Sequence, residues 1–314
     1  MVKKIYKADD MRHTPFRVKA NHEFLEKEGF IFTDNEEECD LFLSRTLENL
    51  NHYIKKYKNQ KKYLIWTHEP RYDTHFSNKV YVESSIEVDI MNTYTNEIYV
   101  NNYRYCNLEK MNSINLRSFE RSKGKLIVIL ATCKNPVSLI KNGIELDLVN
   151  IRNNIAYLGS NLSKVEIYGS DWEGDIAIED SVKIARQQGI PWAKRKVEIM
   201  KQYHFNLCFE NTNYKYYCTE KIWQALEANC LPIYYGKGNA IYEDFPPNSF
   251  LDYSEFNKPD LLFEYINAMS IDEFNQRMNR CIATVNTIVS EKGRFNALAQ
   301  QNKNIVSRLK QIFA

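Results

Sequence analysis

Short apolar runs and stretches with helical spacing alternate along the first third of this chain. Asp40–Leu43 and Lys62–Trp66 have the length and apolar character of buried strands, and Thr46–Tyr57 between them has helical spacing. Glu97–Val100 predicts a further strand, whereas residues 108–123 are polar and show no clear period. Because strands that alternate with helices are typical of α/β layers, we expect one α/β unit here.

The same alternation restarts after Gly124. Lys125–Ala131 is rich in Ile and Val, which is typical of a strand buried in a parallel sheet. A helical stripe from Leu148 to Leu158 follows, with Gly159 as its expected C-terminal cap. The later strands predicted are Val165–Tyr168, Phe205–Phe209 and Leu231–Tyr235. Two successive α/β units predict a doubly wound protein, a class that binds nucleotides at the carboxyl ends of its strands.

Two helices are predicted at the end of the chain. Phe295–Ile312 forms the second of them. The first is marked by a stripe of apolar residues at helical spacing, namely Phe274, Met278, Cys281, Val285 and Ile288. With the aperiodic segment as a boundary, we expect domains over residues 1–122 and 123–290, followed by a C-terminal helix over 291–314. Whether this last helix packs back on the N-terminal domain stays an open question.

The composition excludes several classes of protein. Of the 314 residues, 44% are hydrophobic and 26% are charged, which argues against long disorder and coiled coil. The formal net charge of +2 gives no general attraction to nucleic acid. No run approaches the roughly 18 apolar residues of a membrane span, and no apolar segment follows the basic N-terminus to indicate secretion. The seven cysteines are odd in number and are scattered without the CxxC spacing of a zinc site. We therefore expect reduced thiols in a cytoplasmic protein.

The most informative stretch runs from Tyr203 to Gly236 and predicts strand, loop, helix and strand in succession. Thr219 is a suitable N-cap, which would put Glu220 and Lys221 in the first helical turn. Such a helix end readily holds a phosphate or a ribose hydroxyl, because its first N–H groups are unpaired. Taken alone, Glu220 could equally be an ordinary first-turn acid and Lys221 a solvated charge.

The identities in this stretch resemble the signature of the α1,3-fucosyltransferase family. Phe205–Thr212, with the sequence FNLCFENT, is followed after a short spacer by Tyr217–Lys221, with the sequence YCTEK. Pro232 and Gly236 fall where the family pattern has them, in the strand after the helix. Cys218 departs from the pattern, which usually has Val or Ile there. So many fixed identities at fixed spacing make this a specific motif.

Weaker similarity extends the resemblance over residues from about 62 to 253. The family is similar to GT-B glycosyltransferases, whose two Rossmann-like domains face a cleft. The resemblance therefore implies that the second domain binds GDP-β-L-fucose and that the first binds a GlcNAc-containing glycan. It also implies inversion at the anomeric centre and an α1,3-linked product of Lewis or related type. The implied partners are GDP-fucose and an oligosaccharide acceptor.

For the donor, the resemblance implies five contact residues. Lys221 and Arg152 match the positions that bind the diphosphate, and Glu220 matches the residue that accepts hydrogen bonds from the ribose hydroxyls. Asn211 and Tyr217 match further donor-site positions. Two alternatives stay open, because Arg152 could be a partly solvated helix residue and Tyr217 could serve packing alone.

The implied general base follows the strand Lys62–Trp66. Glu69 resembles the catalytic carboxylate of the family, which would take the proton from the acceptor hydroxyl. His68 is the rival, because the unperturbed pKa of an imidazole suits that task better. An exposed loop acid is the third interpretation of Glu69.

No metal or cofactor is expected. The donor region lacks an Asp-x-Asp pattern, and Lys221 and Arg152 can neutralise the departing GDP. Two rival functions stay open, a GT-B transferase that uses another GDP-sugar and a non-catalytic protein that binds glycans or nucleotides. The modestly basic segment Lys303–Lys310 also leaves peripheral membrane association open.

Overall fold

The structure is a computed structural model, and it describes residues 2–70, 77–95, 97–104 and 106–314. The chain divides into two compact units. The first comprises Met1–Asn101 and Phe295–Ala314, and the second comprises Asn102–Arg294. Each unit has its own predominantly parallel sheet and its own hydrophobic core. The predicted α/β class is therefore confirmed.

The regular elements are numbered in chain order. The strands are β1 (Lys3–Lys7), β2 (Phe30–Thr33), β3 (Leu41–Ser44), β4 (Lys62–Thr67), β5 (Lys79–Val82), β6 (Ile86–Asn92), β7 (Ile127–Leu130), β8 (Ile140–Lys141), β9 (Ile144–Glu145), β10 (Val165–Tyr168), β11 (Ala177–Glu179), β12 (Phe205–Leu207), β13 (Leu231–Tyr234) and β14 (Leu251–Asp252). The α-helices are α1 (Lys19–Lys27), α2 (Leu47–Tyr57), α3 (Val149–Asn161), α4 (Ser181–Gln187), α5 (Trp192–Met200), α6 (Lys221–Glu227), α7 (Pro259–Ala268), α8 (Ile271–Ser290) and α9 (Gly293–Ile312).

The sheet of the first unit has the strand order β2-β1-β3-β4-β6-β5, and only β5 runs antiparallel to its neighbour. Successive side chains of β4 enter different cores, with Trp66 in one cluster and Ile65 in the other, as the twofold period of a strand requires. The predicted strand at Glu97–Val100 is wrong. The structure has a strand earlier in the chain, β6, whereas Tyr99 and Val100 have no regular structure.

Helix α9 contributes to the core of the first unit. Ile305 and Leu309 belong to the same buried cluster as Leu43 of β3. Arg308 donates from Nη2 to Oδ1 of Asp89 on β6 at 2.9 Å, and both side chains are buried. Burial raises the pKa of Asp89, and the positive charge of Arg308 opposes that rise. Because a buried charge needs a partner, the sheet and the last helix depend on each other.

The sheet of the second unit is entirely parallel, in the order β11-β10-β7-β12-β13-β14. The predicted strand Val165–Tyr168 is confirmed with the same bounds, and the predicted stripe on α8 is confirmed because all five residues are buried. Gly159 is not a helix cap as predicted, since α3 continues to Asn161. A Cβ at Gly159 would overlap the side chain of Val165, so close packing explains this glycine.

The first unit ends earlier than the boundary predicted at residues 122 and 123. Segment 102–122 belongs to the second unit, and three asparagines of α8 hold part of its backbone. Asn286 accepts from the N–H of Met111 at 2.8 Å and donates to its C=O at 2.9 Å. Asn279 and Asn275 pair in the same way with Ile114 and Leu116. The second boundary lies at 294 and 295 instead of 290 and 291.

Gly169, directly after β10, is expected to tolerate no side chain. A Cβ there would overlap the backbone carbonyl of Ala131, whose oxygen also accepts from Nε1 of Trp172 at 2.8 Å. We expect Gly169→Ala to lower the free energy of unfolding by about 3 kcal/mol, because a backbone neighbour cannot move aside as a flexible side chain can. Urea denaturation followed by circular dichroism measures this.

Gly124→Ala is the matched control for that variant. Gly124 has a φ of +51° and open space around its Cβ position, so alanine there meets conformational strain without a clash. That strain is worth about 1–2 kcal/mol. Equal unfolding midpoints for Gly169→Ala and the wild type would contradict the overlap.

Candidate functional site

The stretch singled out in the sequence forms β12, a loop, α6 and β13 of the second unit. β12 lies at the middle of the sheet, between β7 and β13. The loop that follows is tied to the chain just before α3, because the N–H of Leu148 donates to the C=O of Asn211 at 3.1 Å. A second bond runs from the N–H of Asn213 to the C=O of Leu146 at 2.7 Å. These bonds hold the loop against the helix that carries Arg152.

Glu210 organises this loop, and the sequence analysis gave it no role. Its side chain is only 2% exposed. It accepts hydrogen bonds from the N–H of Thr219 at 2.7 Å, from the hydroxyl of Thr219 at 2.9 Å, and from Nζ of Lys221 at 2.7 Å. A buried carboxylate is stable when it is paired and hydrogen-bonded in this way. Glu210 thus fixes the position of the Lys221 ammonium.

Thr219 does not cap the helix as predicted. Its hydroxyl contacts Glu210, and α6 begins at Lys221 with Glu220 as the N-cap residue. The helix has seven residues, and the Glu220 side chain makes no capping hydrogen bond. The charge of Lys221, held in place by Glu210, is therefore better evidence for an anion site than the short helix itself.

Arg152 is buried in α3, with 3% of its surface exposed. Its Nη1 donates to Oδ1 of Asn211 at 3.1 Å. Its Nε and Nη2 atoms are also buried and have no hydrogen-bond partner among the described residues. Burial lowers the pKa of Arg152, and the negative charges of Asp147 and Glu210 oppose that change. The interpretation of Arg152 as a partly solvated residue is wrong.

Arg152, Lys196 and Lys221 line one recess, which we call the cationic recess. Its wall includes Ala131 directly after β7 and Phe209 shortly after β12, so it lies at the carboxyl ends of the central strands. That edge is where doubly wound sheets bind their ligands. Burial by itself would lower the pKa of Lys221, but the charges of Glu210 and Glu220 raise it. Lys221 can therefore carry positive charge toward an anion.

Lys196 is a member of this recess that the sequence analysis missed. It lies in α5 next to Lys194 and Arg195, where a run of basic residues usually marks a solvated helix face. The structure buries Lys196 and leaves Lys194 exposed. Its charged partner Glu220 is 24 residues away in sequence, so no local signal could have identified it.

Glu220 is half-buried between two lysines. Its Oε1 lies 3.5 Å from Nζ of Lys196. Burial by itself would raise the pKa of Glu220, but the charges of Lys221 and Lys196 lower it to about 2. The residue also lines a cavity of about 450 Å³ together with Trp223 and Glu227. An ionised carboxylate beside an open cavity can accept hydrogen bonds from a polyol.

Asn211 and Tyr217 differ in how they relate to the cationic recess. Asn211 contacts Arg152 directly through the hydrogen bond described above. Tyr217 is 2% exposed, and its backbone carbonyl accepts from the hydroxyl of Tyr234 at 3.3 Å and from Nδ2 of Asn239 at 3.0 Å. These contacts hold the backbone of the loop at Tyr217, and a contact of its side chain with the donor stays a prediction.

Glu69 lies in the first unit, two residues after β4. Its N–H donates to Oγ1 of Thr67 at 3.0 Å, and its C=O accepts from Nδ2 of Asn92 at 3.1 Å. These bonds fix its backbone at the carboxyl end of the strand. The neighbouring His68 ring packs edge-on to Trp66, with ring centroids 5.7 Å apart. Both residues are partly exposed, so the choice of base between them stays a prediction.

No group of three or more His, Cys, Asp or Glu side chains in the described part of the chain could hold a metal ion. Among the same residues, no helix combines the length and the apolar character needed to cross a bilayer.

A sequence model of the family described as "Glycosyltransferase family 10 (fucosyltransferase) C-term" matches residues 155–279. That range contains Lys196, Asn211, Glu220 and Lys221. Arg152 precedes it by three residues, and Glu69 lies far outside it.

Characterised relatives are similar over a shorter stretch. The alpha-(1,3)-fucosyltransferase FucT of Helicobacter pylori is 44% identical over 73 residues, which are 23% of this chain and 15% of that protein. The human 4-galactosyl-N-acetylglucosaminide 3-alpha-L-fucosyltransferase FUT6 is 37% identical over 78 residues, 24% of this chain and 22% of that protein. The matches thus span less than a quarter of either relative.

A crystal structure of an alpha1,3-fucosyltransferase shares the fold more widely. It superposes with a TM-score of 0.50 at 20% identity, over 88% of this chain and 81% of that one. At that identity the likeness shows the fold alone, and it confirms the predicted GT-B class. The resemblance predicted from the loop and helix residues is likewise confirmed, because residues 155–279 match the model of the C-terminal part of glycosyltransferase family 10 (fucosyltransferase).

Proposed function

We propose that this chain is an inverting fucosyltransferase that moves L-fucose from GDP-β-L-fucose to a hydroxyl of a GlcNAc-containing glycan, with α1,3 linkage. The observation that carries the proposal is the buried guanidinium of Arg152, whose Nε and Nη2 have no partner among the described residues. A guanidinium suits bidentate phosphate binding, and Lys221 adds a second charge in the same recess. The matched family supports fucose as the transferred sugar.

The proposed reaction is a single displacement. Glu69 takes the proton of the acceptor hydroxyl while its oxygen bonds to C1 of fucose, and the bond from C1 to the diphosphate oxygen breaks. Lys221 and Arg152 stabilise the negative charge that develops on GDP. Glu220 accepts hydrogen bonds from the ribose hydroxyls, and Asn211 holds Arg152. The charges on these side chains supply the neutralisation, so we propose that no metal is required.

The acceptor class is part of the same proposal. The human relative is named for fucosylation of a 4-galactosyl-N-acetylglucosaminide, and we extend that class of acceptor to this chain. The rival donors are other GDP-hexoses, because a diphosphate site does not distinguish the sugar attached to it. Action in the cytoplasm, in solution or peripheral to a membrane, remains a prediction from the sequence.

Calorimetric titration of the purified protein with GDP-fucose, GDP-mannose and UDP-galactose, in buffer containing EDTA, tests the proposal. We expect GDP-fucose to bind with a dissociation constant of about 1 μM to 1 mM, the usual range of substrate affinity, and at least tenfold more tightly than UDP-galactose. Tighter binding of GDP-mannose would favour the rival donor. Loss of binding in EDTA alone would contradict metal independence.

A transfer assay separates an enzyme from a binding protein. With GDP-fucose and N-acetyllactosamine as substrates, we expect an α1,3-fucosylated product in EDTA. Binding of GDP-fucose without product from this or other GlcNAc-containing acceptors would favour the non-catalytic alternative. Failure of every guanine nucleotide to bind would overturn the proposed function itself.

A further inference from the structure

Lys196 is buried without a good hydrogen-bond partner. It is 7% exposed, and lysine is almost never buried unless it is paired. Its Nζ lies 3.5 Å from Oε1 of Glu220, beyond the usual 2.7–3.2 Å of a strong bond. Its Nζ also lies over the ring of Trp192, 6.0 Å from the ring centroid. These contacts do not account for the free energy needed to bury an ammonium group.

The charged side chains in the lining of the cationic recess are Arg152, Lys196 and Lys221. The carboxylates beside them, Glu210, Glu220 and Asp147, are not part of that lining. Glu210 is already occupied by Lys221 and Thr219. Burial lowers the pKa of Lys196, the Glu220 charge opposes this, and the neighbouring charge of Lys221 adds to it. A bound anion would relieve the repulsion between the two lysines and give Lys196 its missing partner.

We propose that Lys196 contacts the diphosphate of the bound nucleotide, as a third cation beside Arg152 and Lys221. This inference rests on the proposed function and adds a substrate-binding residue to it. Lys196 also lies next to Glu220, the proposed ribose acceptor, so it joins the diphosphate and ribose parts of one site. The alternative is that Lys196 only orients Glu220, in which case it would act on the ribose and not on the phosphates.

Lys196→Met distinguishes these two roles because methionine keeps the apolar stem and removes the charge. The affinities of guanosine, GMP and GDP are measured by competition with fluorescently labelled GDP. We expect GDP to bind about 10- to 100-fold more weakly to Lys196→Met, the range for one charge-assisted hydrogen bond, and guanosine to bind as before. Equal losses for guanosine and GDP, or a GDP affinity within twofold of wild type, would overturn the inference.

Thermal unfolding gives an independent readout. A buried lysine that serves ligand binding is expected to lower the stability of the ligand-free protein. Without ligand, the Lys196→Met variant should therefore unfold at the same temperature as wild type or at a higher one. The shift in melting temperature on adding GDP should shrink. Lys194→Met, on the exposed face of α5, is the matched control and should leave every value unchanged.

The wild-type titration separates failure of this inference from failure of the proposed function. If the wild-type protein and Lys196→Met bind GDP equally well, only the role of Lys196 is contradicted. Wild-type protein that binds no guanine nucleotide overturns both. If Lys196→Met does not fold, Lys196→Arg retains the charge, so its affinity for GDP should stay within tenfold of wild type and its affinity for guanosine should be unchanged. Equal losses of guanosine and GDP affinity in folded Lys196→Arg would count against a phosphate contact.

Discussion

Replacing Glu69 with glutamine is expected to lower the rate of fucosyl transfer by about 10²- to 10⁴-fold, the range that a general base contributes. Glutamine keeps the shape of glutamate but cannot take the proton from the acceptor. The backbone bonds of this residue, to Thr67 and Asn92, do not involve the carboxylate and should persist. We therefore expect kcat to fall while the affinity for GDP, measured by calorimetry, stays within twofold of wild type.

His68→Gln is the control for that experiment, because His68 adjoins Glu69 and is the rival base. If Glu69 is the base, His68→Gln should retain most of the wild-type kcat. A large loss in His68→Gln together with a near-normal rate in Glu69→Gln would transfer the role to the imidazole. A weaker affinity for GDP in Glu69→Gln would instead indicate that this side chain helps to bind the donor.

Replacing Lys221 with alanine has the second-largest expected effect. Removal of one cation that stabilises the leaving diphosphate should reduce kcat by about 10²- to 10³-fold, as the loss of a single electrostatic stabiliser does elsewhere. The affinity for GDP should fall at least tenfold. Steady-state kinetics and titration of GDP measure the two effects. An unchanged affinity for GDP would remove Lys221 from the diphosphate site.

Lys221→Ala also deprives the buried carboxylate of Glu210 of its ion pair, which is expected to cost about 3 kcal/mol of stability. The double variant Glu210→Gln/Lys221→Ala removes that unpaired charge and should recover much of the lost stability. It should not recover GDP binding. Lys215→Ala, an exposed lysine in the same loop, is the matched control and should behave as wild type. Recovery of GDP affinity in the double variant would mean that Lys221 acts only through Glu210.

Local patterns were enough to predict the central strands β7, β10, β12 and β13 and the helices α3, α6 and α8 of the second unit. Val165–Tyr168 and the stripe of α8 are continuous apolar signals, and burial on the sheet or helix face is all that they require. In the first unit β6 was not predicted, and it contains the buried charged residue Asp89. Its burial depends on Arg308, which is 219 positions away in sequence. A pairing at that separation has no local signal.

The site was predictable only in part for the same reason. Glu220 and Lys221 belong to a specific motif, and the loop that holds them is local. The role of Glu210 depends on a loop that folds back on itself over 11 residues, from Glu210 to Lys221. The burial of Lys196 depends on the packing of α5, since the exposed Lys194 nearby has the same side chain. Side-chain type alone could not distinguish the two lysines.

The contribution of α9 to the first sheet has a consequence for synthesis on the ribosome. The second unit is continuous from Asn102 to Arg294, so all of its residues have been translated before most of α9. Nascent proteins usually fold their N-terminal domain first. Here one of the two hydrophobic clusters of the first unit, and the partner of the Asp89 charge, are completed only after Ile305, Arg308 and Leu309 have been translated. The unit that is translated first is therefore the last to be completed, and until then the apolar surface that α9 covers lies exposed.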